Sequence, residues 1–173
     1  MIRKLLLSLG LISGLLLLSC SSAKNKEIFE DLEGEEGIYM LKLPPALFLK
    51  LIDTGTDAQT SGLGNIDYVK LLFFDQQKSS SITSKQLSRD IKEKFGKYGY
   101  EMAIEFSNGG TGISAYMLQK EDFVSDLMLL ISEENNLVGL GLSGRLDSKS
   151  LMEFASEIDY KDLAGLSSGN ISF

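Results

Sequence analysis

The polarity pattern along the chain changes character twice. From Leu5 to Leu18 runs a 14-residue stretch, mostly leucine, broken only by Ser8, Gly10, Ser13 and Gly14. From Ser21 to Gly37 the chain is polar and acidic, with Glu27, Glu30, Asp31, Glu33, Glu35 and Glu36. Beyond that, short apolar segments alternate with turn residues. Ile38 to Leu43 (IYMLKL) reads as a strand. Pro44-Pro45 stops it and opens a helix, since proline suits the first helical turn. Leu47, Phe48, Leu51 and Ile52 then share one helical face, and Gly55 ends it. Thr56 to Asn65 is a Gly/Ser/Thr loop. Ile66 to Asp75 (IDYVKLLFFD) is too uniformly apolar for a strand with one wet face and fits a central strand covered on both sides.

Thr83 with Gln86 resembles a capping box. Leu87, Ile91, Phe95 and Tyr98 follow at spacings of four, four and three, the pattern of an amphipathic helix. Asp90 with Lys94 and Glu93 with Lys97 add exposed i,i+4 pairs, and Gly96 and Gly99 close the helix. Tyr100, Met102, Ile104 and Phe106 alternate with Glu101, Ala103 and Glu105, which predicts a strand with one wet face. Ser107-Asn108-Gly109-Gly110-Thr111 predicts a hairpin turn. Ile113 to Gln119, Phe123 to Ser132 and Leu137 to Leu142 predict three further strands, with residues 133–136 turning the second into the third. Asp147 is placed to cap a last helix carrying Leu151, Phe154, Ala155 and Ile158.

The order β-α-β-α-β-β-β-β-α predicts an α+β domain: one mainly antiparallel sheet with about three helices on one face. Residues 37–159 are expected to form that single domain, residues 20–36 an acidic tether with a short helical piece around Ile28–Leu32, and residues 160–173 a flexible tail.

The leader changes the picture most. Arg3 and Lys4 precede the apolar run, which is short for a spanning helix, about 20 residues being needed, and right for a secretory signal peptide over residues 1–19. Leu17-Leu18-Ser19-Cys20 resembles the lipobox of bacterial lipoproteins, with Leu18 bulkier than usual. The resemblance implies diacylglyceryl transfer to the Cys20 thiol, cleavage before it and acylation of the new amine. Cys20 is then the lipidation site and the membrane a partner through that lipid. The polar residues after Cys20 lack the acidic run that resembles a surface-export signal, so the expected location is the outer membrane, facing the periplasm.

Cleavage there leaves 154 residues, enough for one domain with a real core. The leader holds two positive charges and no acidic ones, so the net charge moves from −7 to about −9. An acidic chain offers no footprint for nucleic acid and no polybasic attraction to anionic lipid. Cys20 is the one cysteine and histidine is absent, so no intrachain disulfide is available. The commonest metal ligand and acid–base group is also missing.

From IYMLKLPPALFLKLI through Ser84–Tyr100 to YEMAIEF, GISAYML and DLMLLISEENNLVGLGLSGRLD, the chain resembles the domain of unknown function 4252, a family of small envelope lipoproteins typical of Bacteroidota. The likeness covers roughly residues 28–158. It implies an α+β domain behind a lipobox, no known activity and no functional residues to carry over.

Motifs with chemistry are few. Gly139-Leu-Gly141-Leu-Ser-Gly144 spells G-x-G-x-x-G, but a dinucleotide site needs that motif between a strand and a helix of a parallel unit; here it follows a hairpin, and close packing or a bulge is expected. Asn108–Gly112 lacks the Lys-Ser/Thr ending of a phosphate loop. Glu101 and Glu105 read as surface residues. Asp67, Lys70 and Asp75 lie on a strand that reads as buried, where a charge needs a partner; strand-end placement or an ion pair is the plain expectation. No catalytic, cofactor-binding or metal residue is singled out. The expected function is a non-enzymatic module binding an envelope protein. The alternatives are a small-ligand or lipid-binding domain, which needs a large apolar cavity, and a carboxylate-dependent hydrolase, which needs two converging carboxylates.

Overall fold

The structure, a computed structural model, describes residues 28–51, 65–149 and 151. Its strands are β1 (Ile38–Leu43), β2 (Ile66–Asp75), β3 (Glu101–Asn108), β4 (Thr111–Lys120), β5 (Phe123–Ser132) and β6 (Asn136–Leu146). Helix α1 spans Pro45–Leu51 and α2 spans Ser84–Lys97. A helical turn at 28–30 precedes β1, and residues 148–149 begin another helix after β6. The six strands form one sheet in the order β1-β2-β6-β5-β4-β3, antiparallel throughout. The α+β class and the expected element order hold. The leader, Cys20, Gly55, Phe154, Ala155, Ile158 and residues 160–173 lie outside the described residues.

The helices differ from expectation in their placement, because they divide between the two faces of the sheet. Side chains alternate along β2, so Leu72 and Phe74 point to one layer and Val69 and Leu71 to the other. Leu87, Ile91 and Phe95 of α2, with Ile28 and Phe29, cover the first layer. Phe48 of α1 and Leu151 cover the second. The near-continuous apolar run of β2 requires this, since a strand buried on both faces needs cover on both.

α2 begins on the expected capping box: Gln86 N–H donates to Thr83 Oγ1 at 3.2 Å, and Thr83 N–H donates to Gln86 Oε1 at 3.0 Å. Phe95 sits beneath it, fully buried, with its ring centroid 4.8 Å from that of Tyr116 and 5.6 Å from that of Tyr100. The expected pair between Asp90 and Lys94 is replaced by a longer-range one, Lys94 Nζ to Asp31 at 3.0 Å. Leu47, expected on the buried side of α1, is half exposed, while Phe48 is buried.

The packed region begins well before residue 37. Ile28 and Phe29 are fully buried, and the Phe29 ring lies so close to Gly139 that an added Cβ there would stand 3.1 Å from it. Part of the acidic stretch is therefore tied down by specific contacts. Glu30 meets Lys42 at 3.7 Å. Glu36 Oε2 accepts the backbone N–H of Ser80 at 2.8 Å and its hydroxyl at 2.7 Å.

Those two bonds, the backbone one first, hold the Glu36 carboxyl below its ordinary value of 4.5. A carboxylate depressed in the folded state stabilises the fold above the unfolded value, and that contribution is lost as the pH falls through the folded one. Glu36→Gln is therefore expected to cost the same at pH 6 and pH 7, with the difference from wild type shrinking below about pH 4.5. Urea melts of both proteins across that range check this; a difference that stays constant down to pH 3 would show that these bonds do not discriminate between the two charge states.

Candidate functional site

Polar side chains enter the sheet interior in one row on the α2 face. Tyr68 of β2 pairs in register with Ser143 of β6, which pairs with Asp126 of β5. Lys70, two residues beyond Tyr68, projects to the same side. Its cross-strand partners are Lys42 of β1 and, on the interior side, Gly141 of β6, which has no side chain to compete for the space. Lys70 is 0 % exposed and Asp126 is 3 % exposed.

The Asp126 carboxylate is satisfied from within the sheet. Ser143 Oγ donates to Oδ1 at 2.8 Å, and Ser125 Oγ lies 2.8 Å from Oδ2 and 3.0 Å from the Leu118 carbonyl oxygen. The β5–β6 register shifts between Val124 and Asp126, and these hydroxyls close the ladder around the irregularity. Buried carboxylates need such donors, because an unbonded one costs several kcal/mol on the order of a full desolvation penalty. The Tyr68 hydroxyl is enclosed, with no hydrogen-bond partner among the described residues. Burial first, then the nearby Glu30 and Glu33 charges, push its pKa up. The row therefore holds a neutral phenol at ordinary pH.

The charged residues singled out on β2 separate. Asp67 is exposed. Asp75 lies at the strand end, where its side chain accepts the Gln77 N–H at 3.0 Å and meets Lys78 at 3.5 Å. Lys70 alone lies deep in the sheet, in mid-strand rather than at a strand end. Asp126 was not singled out by the sequence, although one acidic residue inside Val124–Ile131 is a visible irregularity. Glu101 and Glu105 are exposed, and Glu105 Oε1 meets Lys92 Nζ at 2.9 Å.

The G-x-G-x-x-G glycines lie wholly within β6, where Gly139 receives Phe29 and Gly144 lies against the backbone of Asn65. They form a packing surface. Asn108–Gly112 is the β3–β4 hairpin, with Gly109 and Gly110 at positive φ in its two-residue loop. Among the described residues no group of three or more acidic, histidine or cysteine side chains is placed to hold a metal, and no helix is long and apolar enough to cross a membrane.

Two other features face solvent. A cleft of about 420 Å³ opens between the 32–38 segment and the start of α2, lined by Leu32, Ile38 and Ile82 together with Glu35, Arg89 and Asp90. Both sheet edges carry large apolar side chains 45–55 % exposed, Tyr39 and Leu41 on β1 and Met102, Ile104 and Phe106 on β3; Leu47 of α1 is exposed to a similar degree. β3 departs from its expected one wet face. The register shifts between Met102 and Ile104, so Met102 stays with the α2 layer while Ile104 and Phe106 turn to the other.

Compared with known proteins, residues 29–163 match the model of a family described as Domain of unknown function (DUF4252). No curated protein and no solved structure matches the chain.

Proposed function

This chain belongs to the DUF4252 family, and from that premise we propose that it is a non-enzymatic interaction module, held in the cell envelope by lipid on Cys20 and binding an envelope protein. One observation carries the reading. Apart from Leu47 on α1, the large apolar side chains that stay half exposed are gathered at the two sheet edges, where another protein can cover them. By contrast, the buried carboxylate of Asp126 is closed in by its own serines. Exposed strand edges with alternating side chains are a recurrent docking device, in which main-chain bonds give affinity and side chains give selectivity.

Lipid anchoring rests on the Leu17-Leu18-Ser19-Cys20 motif behind an apolar leader. Two or three acyl chains hold a protein far better than one, each buried CH₂ contributing about 0.8 kcal/mol. Cys20→Ala is expected to abolish fatty-acid labelling and to release the protein from membranes; a variant that labels and fractionates normally would remove the anchor from this reading. The partner is sought by covalent cross-linking in intact cells and purification of the tagged protein. A dominant envelope protein whose capture is lost when Leu41 or Phe106 becomes charged supports the module. The small-ligand alternative draws on the cleft beside α2, and it gains if no protein is captured and a small molecule co-purifies with the domain.

A further inference from the structure

We propose that β3 is an edge along which a second copy of this chain pairs, antiparallel, about a two-fold axis at Glu105. The proposal rests on the interaction-module reading and names one occupant for one of its edges.

β3 is the last strand of the sheet. One side is bonded to β4; all eight of its residues are exposed, and none is proline. Its other side therefore offers main-chain N–H and C=O groups to an incoming strand. The phase of that offer follows from the hairpin. The two-residue loop joins Asn108 to Thr111, so the main-chain groups of Asn108 and Phe106 face β4. Those of Ser107 and Glu105 face outward.

An axis at Glu105 uses this phase and makes the edge complementary to itself. Each Ile104 falls opposite the Phe106 of the other copy. Both lie on the sheet face that continues through Ala115 and Ile113 of β4, their register partners. The contact thus extends an apolar layer and covers two of the three half-exposed side chains on each β3. Moving the axis to Phe106 would set Ile104 opposite Asn108 and lose that match.

Charge decides the rest. Two carboxylates facing each other would oppose pairing, but each Glu105 already holds Lys92 at 2.9 Å. The axis arranges lysine, carboxylate, carboxylate and lysine in a line, in which each Lys92 can serve either copy. With Glu105 held by Lys92, the other carboxylate of β3 is Glu101 at its start, away from the axis.

The test uses the full-length lipoprotein in cell envelopes. Directly opposed residues in such a pair have Cα atoms about 5.5 Å apart, within the reach of a disulfide. Glu105→Cys is expected to form a disulfide dimer on mild oxidation at least tenfold more readily than Glu93→Cys, on the exposed side of α2. The unsubstituted chain controls for Cys20. Adding Phe106→Lys to the Glu105→Cys protein is expected to reduce the dimer at least tenfold. Sedimentation of the purified protein, without an added cysteine, is expected to show a dimer weakened at least tenfold by Lys92→Glu. A Glu105→Cys yield no higher than that of Glu93→Cys, or a monomer at all concentrations, overturns the pairing. If the monomer result coincides with capture of a different envelope protein that Phe106→Lys abolishes, the second-copy claim falls and the module stands. If capture fails as well, both fall.

Discussion

Replacing Phe95 by alanine is expected to cost about 3–5 kcal/mol, the range for removing a fully buried aromatic side chain. The ring is 0 % exposed and touches both Tyr100 and Tyr116. It is the joint between three elements: α2, which carries it, the start of β3, and β4. The two tyrosines have little freedom to fall inward and fill the space, because Tyr116 is held in β4 and the Tyr100 N–H is bonded to the Phe95 carbonyl at 3.0 Å, just before β3 begins. The loss therefore includes a cavity as well as transferred area. Urea denaturation of the two proteins measures it directly, and a fall in melting temperature of roughly 10–20 °C should accompany it. A cost below about 1 kcal/mol would show that α2 rests on the sheet mainly through Leu87 and Ile91.

The second large effect lies at Gly37, where the acidic segment turns into β1. Its φ is +81°, and an added Cβ would stand 2.7 Å from the Asp75 carbonyl oxygen and 3.0 Å from Ser79 Cβ. Its own carbonyl accepts the Asp75 N–H at 3.0 Å, the first bond of the β1–β2 pairing. A valine here meets two separate penalties, the strained backbone at about 1–3 kcal/mol and overpacking of similar size. The expected sum is roughly 2–6 kcal/mol. Because β1 is an edge, the damage should begin locally. Hydrogen exchange should speed up in β1 before it does in β5 or β6, and uniform acceleration across the sheet would contradict this account.

Three strands are observed at the expected limits, the edge strand Ile38–Leu43 and the central strands Ile66–Asp75 and Phe123–Ser132, because a short apolar run between turn residues has few other ways to bury itself. The capping box of α2 was equally legible, being a local contact between residues three apart. What remained hidden is non-local. The alternation in Glu101–Phe106 describes a half-wet strand but cannot say that the strand ends the sheet, nor that a bulge at Ala103 moves Ile104 and Phe106 to the face opposite Met102. Lys70 was recognisable as a charge in an apolar strand. That it lies deep in mid-strand follows from its pairing with Gly141, more than seventy residues away. Asp126 likewise depends on Ser143, a donor from another strand. The acidic stretch illustrates the same limit. Its composition suggests a solvated linker, yet Ile28 and Phe29 pull its second half into the core.

The strand order also dictates a sequence of events in folding. β3 to β6 each pair with their chain neighbour and can form early from local contacts. β2 lies between β1 and β6, so one of its two ladders must await a strand from the far end of the domain, a closure that carries a large loop entropy. In any cell that delivers this chain N-terminus first, the β1–β2 pair emerges with its inner edge vacant until β6 has been released. That interval is the period in which the protein is most exposed to aggregation. A holding chaperone would be needed for it, and a truncation that removes β6 should yield insoluble protein rather than a smaller folded domain.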